Sequence, residues 1–152
     1  MKKLTPEAYA ANVKRNIAEH GYHVTSVAGA ESSFTYSTGI FETYAIPELF
    51  ISGLPPGMSG ELMQSYVQRF ASSGPPIGTR IRKRKPEPFG YYLIPVNRAK
   101  LKDYALASFK YYGSKPFESL QLVYPDTDLL FPHEHGYDYD QKIIGDYSVI
   151  RT

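Results

Sequence analysis

The sequence predicts a single α+β domain, a mixed or mostly antiparallel sheet covered by about three helices. Three observations predict it. The chain has 152 residues, one domain's length, and a chain of that size buries about 68–70% of the surface it exposes when unfolded. Three segments carry apolar residues at helical spacing. Between them lie short β-branched and aromatic runs, and the first two of these runs are close enough in sequence to pair as a hairpin.

The elements follow in order. Thr5-Pro6-Glu7 opens a helix with a hydroxyl for the N-cap, proline in the first turn and an acid at the positive dipole end. Tyr9, Val13 and Ile17 form its apolar stripe, and Gly21 ends it in the left-handed conformation. Tyr22 to Val27 and Phe34 to Thr38 are two strands of the hairpin. Gly39 to Ile46 is a connection, and Glu48 to Ser52 is a short buried strand. A second helix runs from about Ser59, with Leu62, Met63, Tyr66, Val67 and Phe70 on one face, until Gly74-Pro75-Pro76 stops it. Phe89 to Val96 reads as a strand, Arg98 to Tyr112 as a third helix, and Leu120 to Tyr124 as a strand stopped by Pro125. The tail from about residue 126 is loop-like, with a last short strand at Tyr147 to Ile150.

Composition removes several functions. There is no cysteine, so disulfides, thiol nucleophiles and cysteine zinc sites are excluded. No apolar run approaches the ~18–20 residues of a membrane span, and the N-terminal segment lacks the apolar stretch of a signal peptide, so the expected location is the cytoplasm. No glycine-rich phosphate loop, dinucleotide fingerprint or nucleophile elbow is present, and no cofactor is expected. Residues 1–125 carry 15 Lys and Arg against 9 Asp and Glu, whereas residues 126–152 carry 2 against 6. An acidic tail behind a basic body either folds onto the basic surface or leaves that surface for an anionic partner. The 14 Tyr residues, with no Trp, suit a binding surface as well as a core.

Several short segments stand in a familiar order. They are His20-Gly21-Tyr22-His23-Val24, Phe34 to Ile40, Pro47-Glu48-Leu49, Gly53-Leu54-Pro55, Tyr112-Gly113, Leu120 to Asp126 and Phe131-Pro132. This order resembles the bacterial and phage family called domain of unknown function 4262, over roughly residues 15–135. The resemblance implies a small intracellular α/β domain and brings no reaction and no site residues. Members of that family often carry Trp where this chain has Tyr22, Tyr124 and His133, and the basic stretch from Arg80 to Lys85 is not part of the family's pattern.

Four segments are candidates for chemistry. In Arg80-Ile81-Arg82-Lys83-Arg84-Lys85, an extended backbone places Arg80, Arg82 and Arg84 on one face, where guanidinium groups can hold phosphate. Tyr91 and Tyr92 follow closely and suit a nucleobase beside that phosphate. The plain alternative is an edge strand whose charges prevent sheet-to-sheet pairing. Thr35, Ser37 and Thr38, followed by Gly39, either line a pocket, toward which the resemblance tilts the reading, or form the solvent face of a strand. His133-Glu134-His135 has metal-ligand residue types, but its spacing and its flanking Pro132 and Gly136 favour a surface loop, and no metal is expected. His20 is placed to cap a helix end, and His23 is either a hydrogen-bonded strand residue or a pocket acid–base group. Glu42 and Glu48 are a carboxylate pair of unknown separation.

These observations lead to an expected function. The domain binds, without catalysis, a small anionic nucleotide-like ligand through Arg80, Arg82, Arg84, Tyr91, Thr35, Ser37, Thr38 and His23. The phage and bacterial range of the resembled family extends this to sequestering a defence signalling nucleotide. The alternatives are a hydrolase using His23, or His133 and His135, with nearby carboxylates, and a protein–protein module or homo-oligomer with a tyrosine-rich interface. A nucleic-acid partner is not expected from so mild a basic excess, and a membrane partner is not expected either.

Overall fold

A computed structural model describes residues 5–29 and 32–150. Helix α1 spans Pro6–His20; Thr5 Oγ1 accepts the Ala8 N–H at 3.1 Å at its start, and Gly21 closes it at φ 94°. Strands β1 (His23–Ala28) and β2 (Ser33–Thr38) pair antiparallel, with His23 opposite Thr38 and Ala28 opposite Ser33. Strand β3 (Glu48–Ser52) pairs antiparallel with β2. Helix α3 (Pro56–Phe70) follows, then β4 (Tyr92–Pro95), α4 (Arg98–Leu101), α5 (Leu106–Tyr112) and β5 (Ser119–Val123). The sheet order is β1-β2-β3-β5-β4, and only β3 and β5 run parallel. The domain is therefore α+β with a mixed, mostly antiparallel sheet, as the sequence predicts.

The sheet is covered on both faces. Leu49, Ile51, Leu93, Leu120 and Leu122 project against Leu62, Met63, Tyr66 and Phe70 of α3. On the other face, Tyr36 and Phe50 pack with Leu101, Ala105 and Tyr112 from the α4–α5 region, and the tail lays Phe131 against Tyr92, Ile94 and Val123. Each fully buried Leu, Ile or Phe contributes about 1.5–3 kcal/mol. Helix α1 packs on β1 and α5.

The structure corrects four local expectations. The connection after Gly39 contains a one-turn helix, α2 (Ile40–Tyr44), because the Glu48 carboxylate accepts the N–H groups of Gly39, Ile40 and Phe41. Helix α3 begins three residues before Ser59, since proline at Pro56 suits a first turn. The third helix is broken into α4 and α5, which lets Tyr104 turn its edge to Phe34 and Phe50 while Leu101 and Ala105 stay buried. The expected strand at 147–150 is a 3-10 turn, Tyr147–Val149, capped by Asp146. Along β4, Gly78 and Ile81 bond Leu93 O and Tyr91, and the tail reaches that edge through the Asp146 N–H to Pro95 O at 2.8 Å. Among the described residues, no helix is long and apolar enough to cross a membrane.

Candidate functional site

The basic segment runs along the outer side of β4. Only Ile81 pairs, exchanging N–H···O bonds of 2.9 and 3.0 Å with Tyr91. Its side chain is buried, so alternation turns Arg80 and Arg82 outward. The extended run stops there. Arg84 N–H turns back to the Glu87 carboxylate at 2.8 Å, and Arg84 does not join Arg80 and Arg82 in lining the concavity beside them. The expected row of three guanidinium groups is thus two, and the third cation beside them is Lys83.

Arg80, Arg82 and Lys83 line a cleft of about 440 Å³. Phe89, between Pro88 and Gly90, forms another part of the lining, with Pro125 and Leu129 completing it. The aromatic wall is fixed from behind. Phe89 stacks on Tyr124 at 5.9 Å, and Tyr124 donates its hydroxyl to Ser52 O at 2.7 Å. Gln141 clamps the Tyr124 backbone, accepting its N–H and donating to its carbonyl. The Arg80 guanidinium lies 5.3 Å from the Phe131 ring centre, a cation–π contact that sets its direction.

Glu87 holds the loop to the body. Its buried carboxylate accepts from Arg69 at 2.7 Å, Ser65 at 2.8 Å, Tyr91 at 3.0 Å and the Arg84 N–H. Tyr91 is 1% exposed, so it lies beneath the cleft and not in it, contrary to the expected ligand contact. Burial and the Glu87 charge push its hydroxyl pKa well up, which keeps it a donor.

The acidic tail folds back, but not through its charges. It lies along the sheet by way of Phe131 and by bonds of Lys142 O to Ser52 and Gln121. Asp126 spends its carboxylate on three backbone N–H groups, from Asp128, Leu130 and Asp138. Desolvation opposes its ionisation, but those bonds outweigh it and hold the carboxyl below its ordinary range. Among the described residues, the ion pairs are His20–Glu19 and Arg69–Glu87, so no carboxylate neutralises Arg80, Arg82 or Lys83.

The hydroxyl segment lies elsewhere. Strand β2 has neighbours on both sides and is covered on both faces, so Thr35, Ser37 and Thr38 are each at most 1% exposed. Thr35 bonds Ser26, Thr38 bonds Ser108, and Ser37 donates to Glu48 at 2.7 Å while accepting the Leu49 N–H. All three are closed off from solvent, and their hydroxyls hold β2 to its neighbours. Glu48 gathers five donors, the three N–H groups of the α2 start and the hydroxyls of Ser37 and Tyr112. Burial pushes its carboxyl above the ordinary range, and the bonds from Tyr112, Ser37, Phe41 and Gly39 oppose that shift. Glu42 joins this network through its N–H to Tyr112 and its carboxylate to Tyr111.

His23 sits on the opposite sheet edge, four inter-strand spacings from β4, or roughly 19 Å. Asn16 donates its amide to Nδ1 at 2.8 Å, so Nε2 carries the proton and meets Tyr9 Oη at 3.0 Å. The Tyr9 hydroxyl proton goes on to Thr25 at 2.7 Å. Burial lowers the His23 pKa, consistent with this neutral tautomer. The structure therefore does not bring His23 to the basic cleft. His133 bonds Tyr147 at 2.6 Å through Nδ1, and His135 is exposed. Among the described residues, no group of three or more His, Asp or Glu is arranged to hold a metal.

Sequence reasoning overlooked Phe89 as the aromatic of the cleft and Glu87 as its anchor. A signal existed for Glu87: a lone acid between two prolines beside five cations invites an internal partner. No curated protein and no solved structure matches the chain. The model of the family described as Domain of unknown function (DUF4262) matches residues 16–138, and the chain belongs to that family.

Proposed function

We propose that the domain binds a small anionic, nucleotide-like ligand in the cleft beside Arg80, Arg82 and Lys83, without chemistry of its own. The observation that carries this reading is three cations, unpaired among the described residues, meeting the Phe89 ring in one concavity of about 440 Å³. Guanidinium groups match phosphate oxygens in pairs, and Lys83 adds a point charge. The Phe89 face, braced by Tyr124, offers a stacking partner to a base, a contact worth about 1–3 kcal/mol. Nucleotides are cytoplasmic metabolites, so the same reading puts the domain in the cytoplasm. A defence signalling nucleotide falls within this ligand class.

Calorimetry with linear and cyclic nucleotides tests the proposal. Saturable binding of at least one, lost in Arg82→Glu and weakened by salt, supports it. No heat from any nucleotide overturns it. Recovery of the ligand unchanged supports binding without turnover, whereas conversion lost in His23→Ala or His133→Ala moves the reading to a hydrolase. Light scattering on the eluting protein decides whether the ligand is bound by a monomer or by a homo-oligomer.

A further inference from the structure

A second cavity, of about 300 Å³, opens between α1 and α5. That volume lies at the lower end of ligand pockets, roughly 300–1,000 Å³. Its lining includes Val13 and Tyr36, both buried in the domain, with Tyr9 from α1 and Tyr111 from α5. Leu106 also lines it and is 67% exposed, a large apolar side chain left open to water beside a cavity.

The hydroxyl oxygens of two of these tyrosines already accept bonds inside the protein. Tyr9 Oη meets His23 Nε2–H and gives its proton to Thr25, and Tyr36 Oη accepts the Ala107 N–H at 3.0 Å. The surface lining the cavity is predominantly apolar, which rewards an apolar body and not the hydrogen-bonding edge of a base. The charges of the lining are of one sign. Lys14 stands on α1 and Lys110 on α5, and among the described residues neither ammonium pairs with a carboxylate. An anion held between two helices and an apolar body beneath it complement this arrangement.

We infer that the cavity between α1 and α5 is a second ligand site, taking a small amphipathic anion with an apolar body and one terminal carboxylate, as in a medium-chain fatty acid. The carboxylate lies between Lys14 and Lys110, and the body lies over Tyr36 and covers Leu106. This site is independent of the basic cleft, which is carried by the other edge of the sheet.

Calorimetric titration of the full chain with sodium decanoate tests the inference, with decanol as the uncharged comparison. Saturable decanoate binding is expected, with decanol weaker. The surface double variant Lys14→Glu/Lys110→Glu is expected to bind decanoate at least roughly tenfold more weakly, the scale of one lost bond to a charged group. Ala10→Trp, which fills the cavity from α1, is expected to abolish binding; should it unfold, the lysine variant and Leu106→Asp carry the test. Arg82→Glu is expected to bind decanoate normally, so failure of the nucleotide reading and failure of this one are separately visible. No saturable binding by the wild type overturns the inference. So does binding that survives in folded Ala10→Trp, or that is indifferent to reversal of both lysines.

Discussion

Tyr112 on α5 donates its hydroxyl proton to Glu48 on β3 across 2.5 Å. The direction of the bond follows from its neighbours. Tyr112 Oη accepts the Glu42 N–H, and Ser37 Oγ accepts the Leu49 N–H, so both hydroxyl protons are left for the carboxylate. One buried acid thereby joins β2, β3, the start of α2 and α5. Loss of the Tyr112 hydroxyl in Tyr112→Phe is expected to lower stability by about 1–2 kcal/mol. Denaturant unfolding of wild type, Tyr112→Phe, Glu48→Gln and the double variant is expected to show coupling between the two sites.

Glu48→Gln is expected to destabilise the domain although it is nearly isosteric. An amide has one acceptor oxygen, so its NH2 group faces donors and leaves them unsatisfied, at about 1–3 kcal/mol. The pH dependence has a definite sign. Burial raises the Glu48 pKa in the folded state above its ordinary 4.5. The folded chain then holds more protons than the unfolded chain just above that value, and this contribution to stability falls as pH rises through the window. The gap in Tm between wild type and Glu48→Gln is expected to narrow as pH rises above 4.5; a gap that widens contradicts the assignment.

His23 has the opposite dependence. Burial lowers its pKa below the ordinary 6.5, so the unfolded chain binds the proton first. This contribution is present above 6.5 and is lost as pH falls toward the folded-state value. Thermal melts of wild type and His23→Gln between neutral and mildly acidic pH are expected to converge as pH falls. Parallel curves would remove His23 as the source.

Glu87 positions the cleft. Arg69→Ala leaves the buried Glu87 carboxylate without its cation, and the expected loss of stability is about 3 kcal/mol. Glu87→Ala also frees the Arg84 N–H, the Ser65 hydroxyl and Tyr91, so the loop bearing Arg82 and Lys83 loses its tether. Nucleotide binding is expected to weaken in Glu87→Ala although Glu87 does not line the cleft. Calorimetry at a temperature where the variant remains folded separates that effect from unfolding.

Phe89→Ala is expected to weaken nucleotide binding by about 1–3 kcal/mol while leaving its salt dependence intact. Lys83→Ala is expected to do the reverse, reducing the salt slope with a smaller change in affinity at high salt. Titrations at two salt concentrations check both.

The five strands of the sheet and the ends of α1 were legible because local chemistry dictates them. Thr5, Pro6 and Gly21 act on their own turn, and the Phe34 to Thr38 alternation needs only a sheet nearby. The break after Leu101 was not legible, since Arg98 to Tyr112 keeps a helical stripe throughout and the break answers to Phe34 and Phe50, far away in sequence. The basic segment was legible as a cluster of charge, but not the departure of Arg84, which depends on Glu87 being buried by α3.

The sequence by itself determined the α+β class, the family resemblance, the absence of cysteine and the basic stretch from Arg80 to Lys85. Tertiary structure decided which of the candidate residues meet. It put Thr35, Ser37, Thr38 and Tyr91 inside, separated His23 from the arginines by the width of the sheet, and joined Arg80, Arg82 and Lys83 to Phe89. The physical reason is that periodicity reports which way a side chain points within its own element, whereas burial and convergence depend on strand order and on what covers each face.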